Sequence, residues 1–271
     1  MRVDKVLLVA NLCFSMLMGS QLVVADYAKG WSAYEKGEFK TALKEWTPLA
    51  EKGSSAAQNN LGAMYNNGKG TVENDAIAIK WFTLAAEQGH AMAQYNLGSM
   101  YSKGEGVQES DKIAIKWYTR SAEQGFTRAQ SVLGVIYDTG DGVPESDETA
   151  VKWYTLAAEQ GYAIAQYNLG FMYMLGEGVA QDNKTAAKWY TLAAKRGYAM
   201  AQHNLGVMYK NGMGVATDYE RAYMWLNLGV DNGNTNSSRN KAVIAKEMTD
   251  TQIAKAVKMS ALCLNSEYTE C

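Results

Sequence analysis

Cysteine, histidine and proline are nearly missing from this chain: three, two and two residues respectively among 271. So little proline leaves long stretches open to helix formation, and 47% hydrophobic residues can bury a large core. No histidines, cysteines or carboxylates cluster at ligand spacing, so no metal site is expected. The recurring Gly-x-Gly is not preceded by a strand pattern or followed by Gly-Lys-Ser/Thr, so it is not read as a phosphate cradle, and no cofactor is expected. A surplus of basic charge is also absent. Formal net charge is -2, which gives no footprint for a nucleic-acid partner.

Apolar runs are short, the exception being Val6 to Met18. Arg2 and Lys5 precede it and Val23-Val24-Ala25 follows it, so residues 1–25 read as a secretory signal peptide with the mature chain starting near Asp26. The run is short for a membrane span, and no membrane span is expected in the mature chain. The expected location is periplasmic or secreted. With Arg2, Lys5 and Asp4 set aside, 24 basic residues face 27 acidic ones. Cys13 would leave with the signal. Cys263 and Cys271 then remain as a candidate disulfide in a 263–271 tail, with two unpaired thiols as the alternative.

The remainder is a repeat. Leu61, Leu97, Leu133, Leu169 and Leu205 stand 36 residues apart, each followed by glycine and, four places on, by Tyr65, Tyr101, Tyr137, Tyr173 or Tyr209. Such a period implies stacked helical hairpins. In the second copy, Ala93, Leu97, Met100 and Tyr101 form one helical face. Gly98 lies inside that helix at a cost of about 1 kcal/mol against alanine, which implies close approach of a neighbouring helix. Gly104 suits a left-handed helix stop. Asn74, Ser110, Ser146, Asp182 and Asp218 recur as N-caps of a second helix. Its face is Ala114, Trp117, Tyr118 and Ala122, and six of the seven tryptophans fall in its column (Trp46, Trp81, Trp117, Trp153, Trp189, Trp225), expected as core packing.

Residues 26–53 read as a degenerate helical pair, turning at Gly37, and residues 54–233 as five repeats. Residues 234–262 read as capping helices: a polar connection over 234–240, then helices from Lys241 to Met248 and from Asp250 to Leu262, the latter capped at Thr249.

The motif Ala-x-Ala-Gln-x-x-Leu-Gly-x-Met-Tyr-x-x-Gly-x-Gly-Val, followed by Ala-x-Lys-Trp-Tyr-x-x-Ala-Ala-Glu-Gln-Gly, resembles the Sel1-like repeat, a relative of the tetratricopeptide repeat. The resemblance implies an all-α, right-handed α/α superhelical solenoid of antiparallel helix pairs. It also implies an adaptor for a protein or peptide partner rather than an enzyme. Secreted members with a cysteine pair in every repeat supply the alternative, a β-lactamase-like or penicillin-binding protein; this chain lacks those pairs.

If the Ala93, Leu97, Tyr101 face points inward, positions 95, 99, 102 and 103 point away from the core. They carry Tyr95, Ser99, Ser102 and Lys103 in copy two, Ser131, Val135, Asp138 and Thr139 in copy three, and His203, Val207, Lys210 and Asn211 in copy five. Copy four instead carries an apolar stripe, Tyr167, Phe171, Met174 and Leu175, expected as a partner-binding hot spot, with burial against neighbouring helices as the alternative. Asn60, Asn96, Asn168 and Asn204 form a second candidate column for reading a peptide backbone, unless they bond a neighbouring helix. The only catalytic candidates are His90 and His203, and Ser131 and Asp138 could approach His203 only across two repeats.

Overall fold

Side-chain caps and left-handed glycines cut this chain into helices on the period read from the sequence. The computed structural model describes residues 27–269 and Cys271. The expected signal over 1–25, with Cys13, lies outside the described residues.

The chain divides into two compact units meeting at Gln124 and Gly125. The first contains α1 (27–35), α2 (Phe39–Glu51), α3 (Ser55–Asn66), α4 (Asp75–Glu87), α5 (Ala91–Lys103) and α6 (Asp111–Glu123). The second contains α7 (Thr127–Thr139), α8 (Asp147–Glu159), α9 (Ala163–Leu175), α10 (Asn183–Ala194), α11 (Ala199–Asn211), α12 (Tyr219–Asp231), α13 (Thr235–Ala245) and α14 (Asp250–Asn265). The described residues form no strand. Within each unit, successive helices pack as the antiparallel pairs of an α/α solenoid.

All five expected N-caps act as such: the side chains of Asn74, Ser110, Ser146, Asp182 and Asp218 accept the backbone N–H three residues on. Gly104 closes α5 with φ +68°. The interior Gly98 packs under a ring, since a Cβ there would stand 2.9 Å from Tyr118. The second glycine of this loop has a separate reason: a Cβ on Gly106 would stand 2.6 Å from that of Asp75, at the start of the preceding copy's second helix. Gly-x-Gly therefore ends one helix and seats the loop on its neighbour.

Three expectations need correction. First, the closest-packed ring is the residue after each tryptophan: Phe82, Tyr118, Tyr154 and Tyr190 are buried, with Leu226 in the last copy. Trp81, Trp117 and Trp189 are only half-buried, each covering the preceding copy's core, while Trp46 and Trp225 are buried. A flat ring fits over the facing glycine, and the larger indole spans the joint between copies.

Second, the segment 234–240 is not a connection. Asn234 caps α13 by accepting from the Ser237 N–H, and Ser237 and Ile244, each 36 residues beyond Ala201 and Met208, are fully buried. The cap and two inward positions suffice for a helix whose other residues face water. The final helix starts at the expected cap, a reciprocal Thr249 and Gln252 box.

Third, the position of Tyr95, Ser131, Tyr167 and His203 does not point outward. Ser131 is 4% exposed, Tyr95 and Tyr167 pack on Tyr118 and Tyr190, and His203 bonds to Ser237. A first helix packs on its own second helix and also on its neighbours, so its buried arc is wider than a single amphipathic stripe.

Candidate interaction surfaces

In the first unit, the shortened opening hairpin gathers four rings. Tyr27 stacks on Trp46 at 5.9 Å between centroids and Trp31 stacks on Tyr34 at 6.0 Å. Trp46 is buried, its Nε1 donating to the Tyr27 carbonyl at 3.2 Å, whereas Trp31 is 45% exposed. These rings wall a cavity of about 380 Å³ closed on the other side by Asn59, Asn60, Ala63, His90, Met92 and Asn96.

The amides are wired together: Asn96 Nδ2 donates to Asn59 Oδ1 at 3.2 Å, Asn59 Nδ2 to Asn60 Oδ1 at 3.4 Å, and Asn60 Nδ2 to the Tyr27 hydroxyl at 3.0 Å. His90 Nδ1 accepts the Ala93 N–H at 3.3 Å as the cap of α5, so in neutral His90 the proton sits on Nε2. Burial lowers its pKa below 6.5 and favours that neutral form. Every lining side chain is formally uncharged, which suits an uncharged ligand with both apolar and amide groups.

In the second unit, the four-residue stripe on α9 divides. Phe171 and Leu175 are 38% and 46% exposed. Met174 packs inward and receives the Tyr190 hydroxyl at 3.9 Å from its sulfur, and Tyr167 lies between Tyr190 and Tyr198 with centroids 5.6 and 5.3 Å away. Burial raises the Tyr167 pKa. The Asn168 amide beside the Tyr154 hydroxyl, and the Asn204 amide beside those of Tyr167 and Tyr190, offset part of the rise that burial gives these tyrosines' pKa. Of the four stripe residues, Phe171 and Leu175 are the ones that face outward.

The histidine expected as a catalytic candidate meets a serine, but not one of those considered. His203 Nδ1 lies 3.2 Å from Ser237 Oγ, which itself donates to Asn234 Oδ1 at 3.2 Å. The Ser237 hydroxyl is therefore shared between the imidazole and the cap residue of its own helix. Ser237 is fully buried. Asp138 instead accepts from the Tyr154 hydroxyl at 3.2 Å, and burial raises its pKa. No group of three metal-ligating side chains occurs among the described residues.

The columns also hide a ladder of glutamines. Gln58, Gln94, Gln166 and Gln202 donate Nε2 to the carbonyls of Ala50, Ala86, Ala158 and Ala194 at 2.9 to 3.1 Å, each fastening a first helix to the preceding second helix. The Oε1 atoms of Gln58, Gln94, Gln130 and Gln202 accept from the amide at the end of their own copy, from Gln88, Gln124, Gln160 and Asn232 respectively, at 2.6 to 2.9 Å. Copy four lacks this second bond. Gln at the Ala-x-Ala-Gln position in every copy, with Gln88, Gln124 and Gln160 before the turn glycine 30 residues on, was the available signal.

Against known families, a model of the Sel1 repeat matches residues 55–90, 91–126, 127–162, 163–198 and 199–234. The chain belongs to the Sel1 repeat family. Sel1 repeat proteins are typically protein-interaction scaffolds, and their fold is generally non-catalytic. Among solved structures, a Sel1 repeat protein from Oxalobacter formigenes is 33% identical, with a TM-score of 0.74 over 81% of this chain and 87% of its own. The protein c5321, a protective antigen of uropathogenic Escherichia coli strains with an SLR fold, is 27% identical, with a TM-score of 0.58 over 91% of this chain and 62% of its own. The immunity protein PA5088 from Pseudomonas aeruginosa shares the fold at 20% identity and a TM-score of 0.51 over 76% and 82%. No curated protein matches the chain. The Sel1 columns of Leu, Gly and Tyr account for the architecture, while the opening hairpin and the exposed residues of α9 lie outside them. None of the described helices is long and apolar enough to cross a membrane.

Proposed function

We propose that this Sel1 repeat protein is an exported, non-catalytic adaptor that binds an uncharged, aromatic-rich segment of a protein partner. The supporting observation is the first-unit cavity, where four rings face a wired row of asparagines and Trp31 is 45% exposed. Aromatic walls bury side chains, and amides can donate to and accept from a peptide backbone. Phe171 and Leu175 on α9 offer an apolar contact of their own in the second unit. Export is supported by the signal-like residues 1–25 and by the Cys263–Cys271 bond, which suits an oxidising compartment.

The test is to pan a random peptide display library on the purified mature chain. Peptides that bind wild type and lose at least tenfold affinity for Trp31→Ala, with unchanged helicity, support the reading. Enriched peptides indifferent to Trp31→Ala, and also to Phe171→Ser, would overturn it. The β-lactam alternative has its own assay, and specific hydrolysis abolished by His203→Ala would replace the adaptor reading.

A further inference from the structure

Copies one, two, three and five end their second helix in an acid and an amide: Glu87-Gln88, Glu123-Gln124, Glu159-Gln160 and Asp231-Asn232. Copy four alone ends in Lys195-Arg196. The exchange removes the amide that elsewhere donates to the buried glutamine. Gln166 is 2% exposed and still donates Nε2 to the Ala158 carbonyl at 3.0 Å, yet its Oε1 is buried with no hydrogen-bond partner. A buried acceptor without a donor is costly and calls for an explanation.

Arg196 does not fill the gap. Its guanidinium lies over Gly161, in the turn before α9, and among the described residues it makes no hydrogen bond or ion pair. Between Gln166 and Arg196 lies a cavity of about 340 Å³, walled by Trp189 and Leu192 and flanked by Glu159 and Gln160. Leu192 is 44% exposed. The cavity thus offers a buried acceptor, an unpaired cation and an apolar wall.

We propose that this notch binds the carboxy-terminal residue of a peptide chain. The last backbone N–H donates to Gln166 Oε1, the terminal carboxylate pairs with Arg196, and the last side chain lies on Trp189 and Leu192. Such a residue carries an amide donor and a carboxylate one Cα apart, and Gln166 and Arg196 line one cavity. A plain anion supplies no donor for Gln166, and an internal peptide segment supplies no carboxylate for Arg196. Glu159, on the rim, disfavours a second negative charge. The site is separate from the first-unit cavity, and neither Trp31→Ala nor Phe171→Ser alters it.

The test titrates N-acetyl-alanyl-leucine, its C-terminal carboxamide and acetate into the mature protein, read by calorimetry and by the fluorescence of the tryptophans. The free acid should bind at least tenfold more tightly than the carboxamide and than acetate. Arg196→Gln should restore the amide ladder, so its melting temperature should equal or exceed that of wild type while affinity for the free acid falls at least tenfold. The proposal is overturned by absence of saturable binding up to millimolar peptide, by equal affinity for acid and carboxamide, by equal affinity for acetate, or by Arg196→Gln binding unchanged.

Discussion

Gly62 lies beneath the ring of Phe82: a Cβ on Gly62 would stand 2.7 Å from two ring carbons of a residue only 2% exposed. Helix propensity alone favours alanine at Gly62 by about 1 kcal/mol. Packing opposes it, since the buried ring has nowhere to retreat and overpacking a core costs about 1–3 kcal/mol. Gly62→Ala is therefore expected to lower stability in urea denaturation. The double variant Gly62→Ala with Phe82→Leu should recover part of the loss, because Leu226 occupies the same place opposite Gly206. A stabilised single variant would refute the close-packing account.

The α9 stripe predicts two different outcomes. Phe171→Ser, at a site 38% exposed, should leave the melting temperature nearly unchanged. Met174→Ser removes a side chain packed against Tyr190 and should cost roughly 1–3 kcal/mol. Thermal denaturation of both variants checks this, and equal effects would show that the stripe acts as one unit.

Acid should weaken the fold through its two half-buried histidines. Burial holds the pKa of both His90 and His203 below 6.5. As pH falls, the unfolded chain takes up these protons first, so stability is fully present above about pH 6.5 and declines below it. Protonation of His90 also removes the acceptor that caps α5. Urea midpoints at pH 7.5 and 5.5 should differ in that direction, and His90→Asn, which keeps a cap, should shrink the difference. His90→Ala should cost about 1 kcal/mol at pH 7.5 through the lost cap. A midpoint that rises on acidification would contradict the assignment.

The tail should depend on its disulfide. Cys263 and Cys271 are bonded with Cα atoms 4.8 Å apart, and the intervening Tyr268 packs on the second-unit core and accepts from Asn232 Nδ2 at 2.8 Å. Glu267 and Tyr268 both adopt left-handed backbone, φ 50° and 66°, a conformation that side chains resist without a restraint. Closing so short a loop contributes about 2–3 kcal/mol. Cys271→Ser is expected to speed amide exchange at the end of α14 and to release Tyr268, while the centre of α9 stays protected. Unchanged exchange at residues 262–269 would show that packing alone holds the tail.

Periodicity made the architecture legible. Leucine, glycine and cap residues recur every 36 positions because each copy must satisfy the same local demands, a buried stripe, a close approach and free N–H groups at a helix start. Those demands are set by a few residues of one helix, so they can be read in one dimension. The break in period at Lys195-Arg196 was equally visible, but its meaning needed the partner of Gln166, 30 residues away.

The sequence by itself determined the helix pairs, their caps, their turns and the Sel1 repeat family. Only the tertiary structure decided which side of each helix meets water. It turned Tyr167, Met174, Tyr95 and His203 against neighbours, left Phe171 and Leu175 outside, and drew the off-period Tyr27 and Trp31 to the same cavity as Asn96. The reason is physical: a helix periodicity marks the centre of the buried face, whereas its width depends on how many neighbours pack around it.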